Sequence, residues 1–469
     1  MASASLLPGA VHVAVVGGGP VGLFLAAELS SRGIDCVVLE RDAGVPGETR
    51  ALVLHSRTLE FLDMRGIAGP FVAQGHQYRH YPLGSERSKA PFTGLDSPFP
   101  YALALAQHRT QRLLERCALK NGTRVARGAE VTGLRGDDEG VELSVRHEGI
   151  TRRVRAAYVV GCDGAHSTVR RLAGISARRT VHPYDVLSVD ARIDAGPQQP
   201  WSQWGRDGMV LLLPFGDGRW RLVLYPYRPL AGRSGTGEPS DIALTETLLH
   251  RITGRDLALR DVEWISRYRC EHRHAARYRR HRVLLAGDAA HVHPPTGGQG
   301  LNTGVADAMS LGWRLAAVVA DARYEGLLDA YAAERRRSAL RVMRLTGAML
   351  HFNATPSLPG HVLRTAGLGV ARLPPVRRHL AAALAGLPAP GAGARGRSGA
   401  RAPDVPLLLT TASPHRRLFE ALRAGHHVHL VPACGTPDPR AATMAPPLLT
   451  VRTDAYRQAH IVRPDGHFL

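Results

Sequence analysis

Residues 11–30, VHVAVVGGGPVGLFLAAELS, constrain the fold more tightly than any other stretch of the chain. Val11–Val16 is an apolar, β-branched strand pattern, Gly17, Gly19 and Gly22 follow as G-x-G-x-x-G, and Leu23–Ser31 reads as an amphipathic helix. In such a βα unit the first glycine permits the tight turn and the second lets the backbone approach a diphosphate. The third lets helix and strand pack closely, which leaves the phosphates at the helix N-terminus beside Pro20 and Val21. Asp35–Leu39 predicts the second strand. Glu40 ends it 18 residues past Gly22, the spacing of a carboxylate that holds a ribose hydroxyl, with Arg41 next in line.

Residues 283–304, VLLAGDAAHVHPPTGGQGLNTG, supply a partner for that unit. Val283–Ala286 is a short buried-strand run, and Asp288 stands where a carboxylate can accept from a sugar hydroxyl. The glycines from Gly297 through Gly298 to Gly300 let backbone N–H groups approach a flat, electron-rich ring. A helix beginning near Gln299 and running through Leu301, Val305, Met309 and Leu311 aims its positive end at that ring. The two stretches together read as the halves of a split flavin site. His291 and His293 form an H-x-H pair, but no third ligand at a sensible spacing accompanies them, and no metal is expected.

Four segments lie between these halves. Residues 50–60, RALVLHSRTLE, run from an extended stretch into a helix that stops at Gly66; Arg50 can reach the diphosphate or form a surface ion pair. Gln107 opens the helix QHRTQRLLERCALK, where it can touch a ribityl chain or cap the helix. Val131–Arg146 predicts a hairpin around Gly136–Gly140. Tyr158–Arg170 reads as a buried strand, the pair Asp163-Gly164, and a helix start with Ser167 as cap.

A chain of 469 residues implies two or three domains. With 44% hydrophobic residues, no long apolar run and no signal-like N-terminus, a soluble protein without a membrane partner is expected. Five cysteines without a C-x-x-C pair suggest a reducing cytoplasm. The net charge of +20 invites a nucleic-acid reading. Lysine, however, occurs only at Lys89 and Lys120, and the arginines are spread along the chain with no basic tail, so no nucleic-acid partner is expected. The densest cluster, residues 267–282, reads as a solvated loop and helix face, or as an attractor for an anionic nicotinamide cofactor.

The Gly17/Gly19/Gly22 loop, Asp163-Gly164, and Gly287-Asp288 with PPTGGQGLN, in that order, resemble the class A flavoprotein monooxygenases with the para-hydroxybenzoate hydroxylase fold. Within that class the resemblance is to the aromatic hydroxylases of bacterial polyketide pathways, and it covers residues 11–345. It implies FAD, with Glu40 on the adenosine ribose, Arg50 and Gln107 on the diphosphate and ribityl side, and Asp288 on the ribityl chain. The backbone of Gly300, Leu301 and Asn302 would face the flavin pyrimidine edge, and Asp163 would serve the nicotinamide cofactor as well as FAD packing. NAD(P)H is the implied reductant, with NADPH favoured by the arginine cluster, and O2 the co-substrate. The implied fold is α/β (α+β), with a Rossmann-like FAD-binding domain from residues 1–175 and 270–345 and an inserted antiparallel-sheet substrate domain at 176–269. A helical segment and flexible linker at 346–403, the linker proper being Leu387–Pro403, leads to a short thioredoxin-like domain at 404–469 with an RPDG turn at Arg463–Gly466.

Reduced flavin and oxygen form a C4a-hydroperoxide, which needs a dry pocket, and Pro294 and Pro295 are candidates for its wall. In a phenolic substrate the ring is the nucleophile, so the protein need only orient it and help ionise the hydroxyl. No base stands out; Pro295, Tyr225 and His55 are the catalytic candidates. Strands are expected at Val186–Ile193, Met209–Pro214 and Trp220–Tyr225. Trp201, Trp204, Met209, Leu211, Leu213 and Trp220 offer apolar area either for a polycyclic substrate or for a plain sheet core. Tyr324–Arg344 is expected to be a core-packing helix without chemistry. The expected function is an FAD-dependent, NAD(P)H-driven hydroxylation of an aromatic polyketide or similar phenol by a monomer or homodimer. The rivals are a Baeyer–Villiger oxygenase on the same fold and a non-catalytic flavin- or nucleic-acid-binding regulator.

Overall fold

The computed structural model describes residues 7–45, 51–85, 88–194, 196–228, 230, 239–355, 366–388, 398–409, 414–443 and 448–469. Its organising strand is Ala10–Val16, whose last four residues are buried. It pairs in parallel with Cys36–Glu40 on one side and with Ile150–Gly161 on the other. Val283–Leu285 adds to the outer side of Ile150–Gly161, so the two Gly-rich stretches emerge from the same end of one sheet, two strands apart. Unbroken apolar runs are what a parallel sheet covered on both faces requires. The helix Pro20–Ser30 is buried from Gly22 to Leu29, not one-sided as expected, because the helices Gln107–Lys120 and Gln299–Ala320 pack on its remaining faces.

A second, six-stranded sheet runs in the order Trp201–Trp204, Gly208–Pro214, Arg219–Pro226, Ala177–Ile193, Leu259–Ala275, His291–Val292. Leu259–Ala275 is a strand of 17 residues that passes straight through the expected boundary at 269–270. It also contains the first part of the arginine cluster, which is therefore not the expected loop and helix face. Its arginines are engaged internally: Arg269 pairs with Asp185 at 3.3 Å and Arg273 with Glu271 at 2.8 Å. Beyond the strand, Arg279 pairs with Asp329 at 2.9 Å and Arg282 donates to the Asp138 carbonyl. The short strand His291–Val292 joins this sheet to the second Gly-rich stretch, and the helix Pro239–Thr253 packs on one of the sheet's faces.

Gly326–Ala354 is one helix of 29 residues that continues past Arg344. Residues 398–403, expected in the flexible linker, are docked: Ala402 is buried, the Gly399 N–H donates to the Phe468 carbonyl at 2.8 Å, and Arg401 pairs with Glu60. Backbone pairing and a buried ion pair override the linker-like composition there. The C-terminal unit is a three-stranded sheet of His427–Pro432, Leu448–Thr453 and His460–Val462. Its Phe419, Leu430, Val462 and Phe468 belong to the same apolar cluster as Val13 and Leu23. Asp465 of the RPDG turn is buried, pairs with Arg463 at 3.0 Å and accepts from Trp313 Nε1 at 3.1 Å. No helix among the described residues is long and apolar enough to cross a membrane.

Candidate active site

Both Gly-rich stretches and the second sheet open on one cavity of about 670 Å³, within the range of small-molecule sites. At the first stretch, Gly17, Gly19, Pro20 and Val21 line it, as do Glu40 and Arg41 at the end of the next strand. Gly22 stands behind them: a Cβ there would lie 2.0 Å from the Gly17 carbonyl oxygen. Glu40 is oriented by two backbone donors, Gly18 N–H to Oε2 at 2.5 Å and Asp42 N–H to Oε1 at 2.8 Å, which leaves lone pairs on both oxygens for a vicinal diol. Gln107 lines the cavity and accepts the Ala51 N–H at 2.9 Å, so it clamps the preceding segment and does not cap its own helix. Arg50 lies outside the described residues.

At the second stretch, Asp288 is exposed on a single helical turn, Gly287–Ala289, and lines the cavity with Pro295, Gly298, Gly300 and Leu301. Gly298 is left-handed, φ 63°, which turns the chain sharply into the helix Gln299–Ala320. Neither this helix nor Pro20–Ser30 has a side-chain cap. A Cβ on Gly19 would meet nothing within 4 Å, and one on Gly300 would meet only Asp288 Oδ1, at 4.0 Å. The cavity wall here is bare backbone at two helix N-termini, a cradle matched to a diphosphate at one end and a carbonyl-rich ring edge at the other.

Two expected site residues have side chains bonded within the protein. Asn302 does not line the cavity: its Oδ1 accepts from His55 N–H at 2.8 Å and Thr58 Oγ1 at 2.7 Å, and its Nδ2 donates to the Gly298 carbonyl at 2.8 Å. Asp163 does line it, yet its carboxylate accepts from Val169 N–H at 2.9 Å and from the Ser167 hydroxyl, fixing the start of the Thr168–Leu172 helix.

In the sheet half, Leu211, Leu213, Tyr225 and Pro294 line the cavity, whereas Trp201, Trp204, Met209 and Trp220 do not. For Trp220 and Trp201 the reason is strand parity. On Arg219–Pro226, Trp220, Leu222 and Leu224 point to the helix Pro239–Thr253, packing with Leu248, Leu249 and Ile252, while Arg221, Val223 and Tyr225 face the cavity. Trp201 packs beside the same core. Met209 is covered by Leu350 and Ala354, and the Trp204 ring stands edge-on to Phe352 at 5.3 Å. Sequence reasoning missed Arg221, which is buried, lines the cavity and grips Asp190 through two contacts of 2.6 Å. Residues 10–346 match the FAD binding domain family.

The chain belongs to this family of class A flavoprotein monooxygenases. It is 37% identical over 480 residues to the 12-dehydrotetracycline 5-monooxygenase/anhydrotetracycline 6-monooxygenase of Streptomyces rimosus, covering 95% of this chain and 94% of that one. The solved structure of the anhydrotetracycline hydroxylase OxyS from Streptomyces rimosus superposes with a TM-score of 0.84 at 34% identity, over 98% of this chain and 95% of that one. The dialkyldecalin synthase of Streptomyces rugosporus is 33% identical over 475 residues, 97% of this chain and 94% of its own. FAD is thus the cofactor of the flavoprotein and NAD(P)H its reductant. The uncapped helix termini, the open space at Gly19 and Gly300, and the oriented Glu40 carboxylate fit FAD.

Of the catalytic candidates, His55 is buried, its Nε2 meets the Gly297 carbonyl at 2.8 Å, and burial pulls its ring down to about 4. The ring is therefore neutral and holds the turn before the helix Gln299–Ala320. Burial holds the Tyr225 phenol well above 10, so it stays protonated in the monooxygenase at neutral pH. The two histidines set aside as metal ligands form a chain: His293 Nε2 lies 2.9 Å from His291 Nδ1, and His291 Nε2 lies 2.6 Å from Asp307 Oδ2. No metal-binding cluster occurs among the described residues. Asp307 is buried, also accepts Gly287 N–H at 3.0 Å, and receives Arg335 Nε at 2.7 Å from the Gly326–Ala354 helix. Burial alone would raise its carboxyl, but His291 and Arg335 outweigh that and hold it below the usual range. That helix thus supplies a counter-charge to Asp307 behind the second Gly-rich stretch. A lone acid on the apolar run Val305 to Leu311 was the signal for Asp307.

Proposed function

We propose that the monooxygenase hydroxylates a fused-ring phenolic polyketide, which lies between Leu211, Leu213, Val223 and Tyr225 on the sheet and the Pro294–Pro295 turn. The observation that carries this reading is that two uncapped helix N-termini, from opposite ends of the sequence, open on one cavity whose remaining wall is apolar sheet. FAD, reduced by NAD(P)H, supplies one activated oxygen atom of O2 as an electrophile. In this reading the first turn of Pro20–Ser30 and Gln107 hold the diphosphate region, Glu40 the adenosine ribose and Asp288 the ribityl chain. The N-terminus of Gln299–Ala320 faces the pyrimidine edge and favours negative charge there. Pro294, Pro295 and the apolar sheet face exclude water from the transferring oxygen. The relatives named for anhydrotetracycline support a substrate of that size and phenolic character. With the arginines of residues 267–282 largely bonded internally, no preference for NADPH over NADH is carried by them. All five cysteines are free, which supports the reducing, cytoplasmic setting.

Turnover of anhydrotetracycline with NADPH under oxygen-18 tests the reading. One label in a new ring hydroxyl, with NADPH oxidation stimulated by substrate, is the expected result. A labelled lactone would assign Baeyer–Villiger chemistry instead. A product without label would place the enzyme with its synthase relative and refute the proposal.

A further inference from the structure

We propose that His293 is the base that takes the phenolic proton of the substrate, and that His291 and Asp307 form the relay that carries the resulting charge away from the cavity. This rests on the reading of the protein as a hydroxylase of phenols. His293 lines the cavity next to Pro294, and Tyr225, Tyr268 and Arg221 line the same cavity. The Asp307 carboxylate accepts the proton of His291 Nε2, so His291 Nδ1 presents a lone pair to His293 Nε2–H. His293 Nδ1 then carries the free lone pair of the chain, and among the described residues this buried atom has no partner. A buried acceptor left over in a cavity wall calls for a donor on the bound molecule. Of the other two candidate rings, Tyr225 stays protonated, and His55, whose Nδ1 is also without a partner, turns its Nε2 to the Gly297 carbonyl and Gln299, with no carboxylate among the described residues to receive the charge.

The step balances without any further reactant. The substrate O–H bond breaks and its proton goes to His293 Nδ1, while the Nε2 proton of His293 passes to His291 Nδ1. The positive charge comes to rest on His291 against Asp307, whose negative charge Arg335 would otherwise neutralise alone. The electron pair left on the substrate oxygen delocalises into the ring and makes the ring carbon nucleophilic, which hydroxylation requires. The groups facing His293 are His291 two residues before it, His272 and His274 on Leu259–Ala275, and Asp307 on Gln299–Ala320. Tyr278 stacks on His291 at 6.0 Å. Burial keeps the His293 ring well below 6.5, so at neutral pH it is neutral, and the proton it takes is passed on to His291 and not retained.

The test compares wild type and His293→Gln, whose amide can still donate to His291 but cannot relay a proton. For each, flavin content, the rate of flavin reduction by NADPH, and the fraction of NADPH coupled to hydroxylated anhydrotetracycline are followed from about pH 6 to about pH 9. The expected variant holds its flavin and is reduced normally. Its coupled hydroxylation falls roughly 100-fold at the acid end and recovers as rising pH ionises the substrate in solution, the difference appearing as hydrogen peroxide. Unchanged coupling, a loss independent of pH, or loss of flavin would each assign His293 a structural role and overturn the proposal. A wild type that incorporates no labelled oxygen overturns the hydroxylase reading itself, a failure separate from these.

Discussion

The two halves of the cavity are built from different materials. The cofactor half is backbone: glycines, helix N-termini and two strand-end carboxylates, each position dictated by the turn that contains it. The substrate half is side chains on a sheet whose two faces are both apolar, one for the cavity and one for the helix Pro239–Thr253. Backbone geometry tolerates few sequences; an apolar face tolerates many. A fixed cofactor cradle can therefore serve a variable substrate wall.

That contrast breaks most visibly at Gly22. Gly22→Ala places a methyl 2.0 Å from the Gly17 carbonyl, and a loss of more than about 4 kcal/mol is expected, read as failure to isolate soluble flavoprotein. In the sheet half, Trp220→Ala should lower unfolding free energy by about 3–5 kcal/mol in denaturant melts yet leave the flavin spectrum and KM unchanged, since the ring faces away from the cavity. A shift in KM would return Trp220 to the substrate wall.

The seam between the halves is sensitive to acid. His55 ordinarily titrates at 6.5 but in the fold at about 4, so the unfolded chain binds the proton first. Stability is complete above the ordinary value and is lost as pH falls towards the folded one, by about 3 kcal/mol for this group. His55→Gln should flatten that part of the pH–stability curve.

The smallest effects sharpen the contrast within the cofactor half, at two acids that follow adjacent strands. Asp288→Ala should weaken FAD binding by about 10–100-fold, measured by equilibrium dialysis. Asp163→Ala removes a helix-start acceptor and should cost about 1 kcal/mol of stability while most of the flavin is retained. Equal flavin loss in both would show that Asp163 also holds cofactor.

Legibility followed the same division. Glycine spacing and strand-end acids announced Gly17, Glu40 and Asp288 because few other uses exist for such residues there. Alternation on Arg219–Pro226 marked a strand but not which face met the ligand, because Trp220 and Leu222 are as apolar as Val223 and Tyr225. The helix that decides the matter, Pro239–Thr253, was not anticipated, and the long strand Leu259–Ala275 was hidden by arginines whose partners lie far away in sequence. His293 was passed over because its link to Asp307 runs through His291 and closes only in three dimensions.

The apolar cluster shared by Val13, Leu23, Phe419 and Phe468 makes the first Gly-rich unit and the C-terminal sheet one folding unit. Arg57, one helix beyond the first Gly-rich unit, donates to the carbonyls of Asp465 and Gly466. The N-terminal nucleotide unit and the segment around Phe468 thus close one core over a sequence separation of more than four hundred residues, the kind of long-range contact that slows folding.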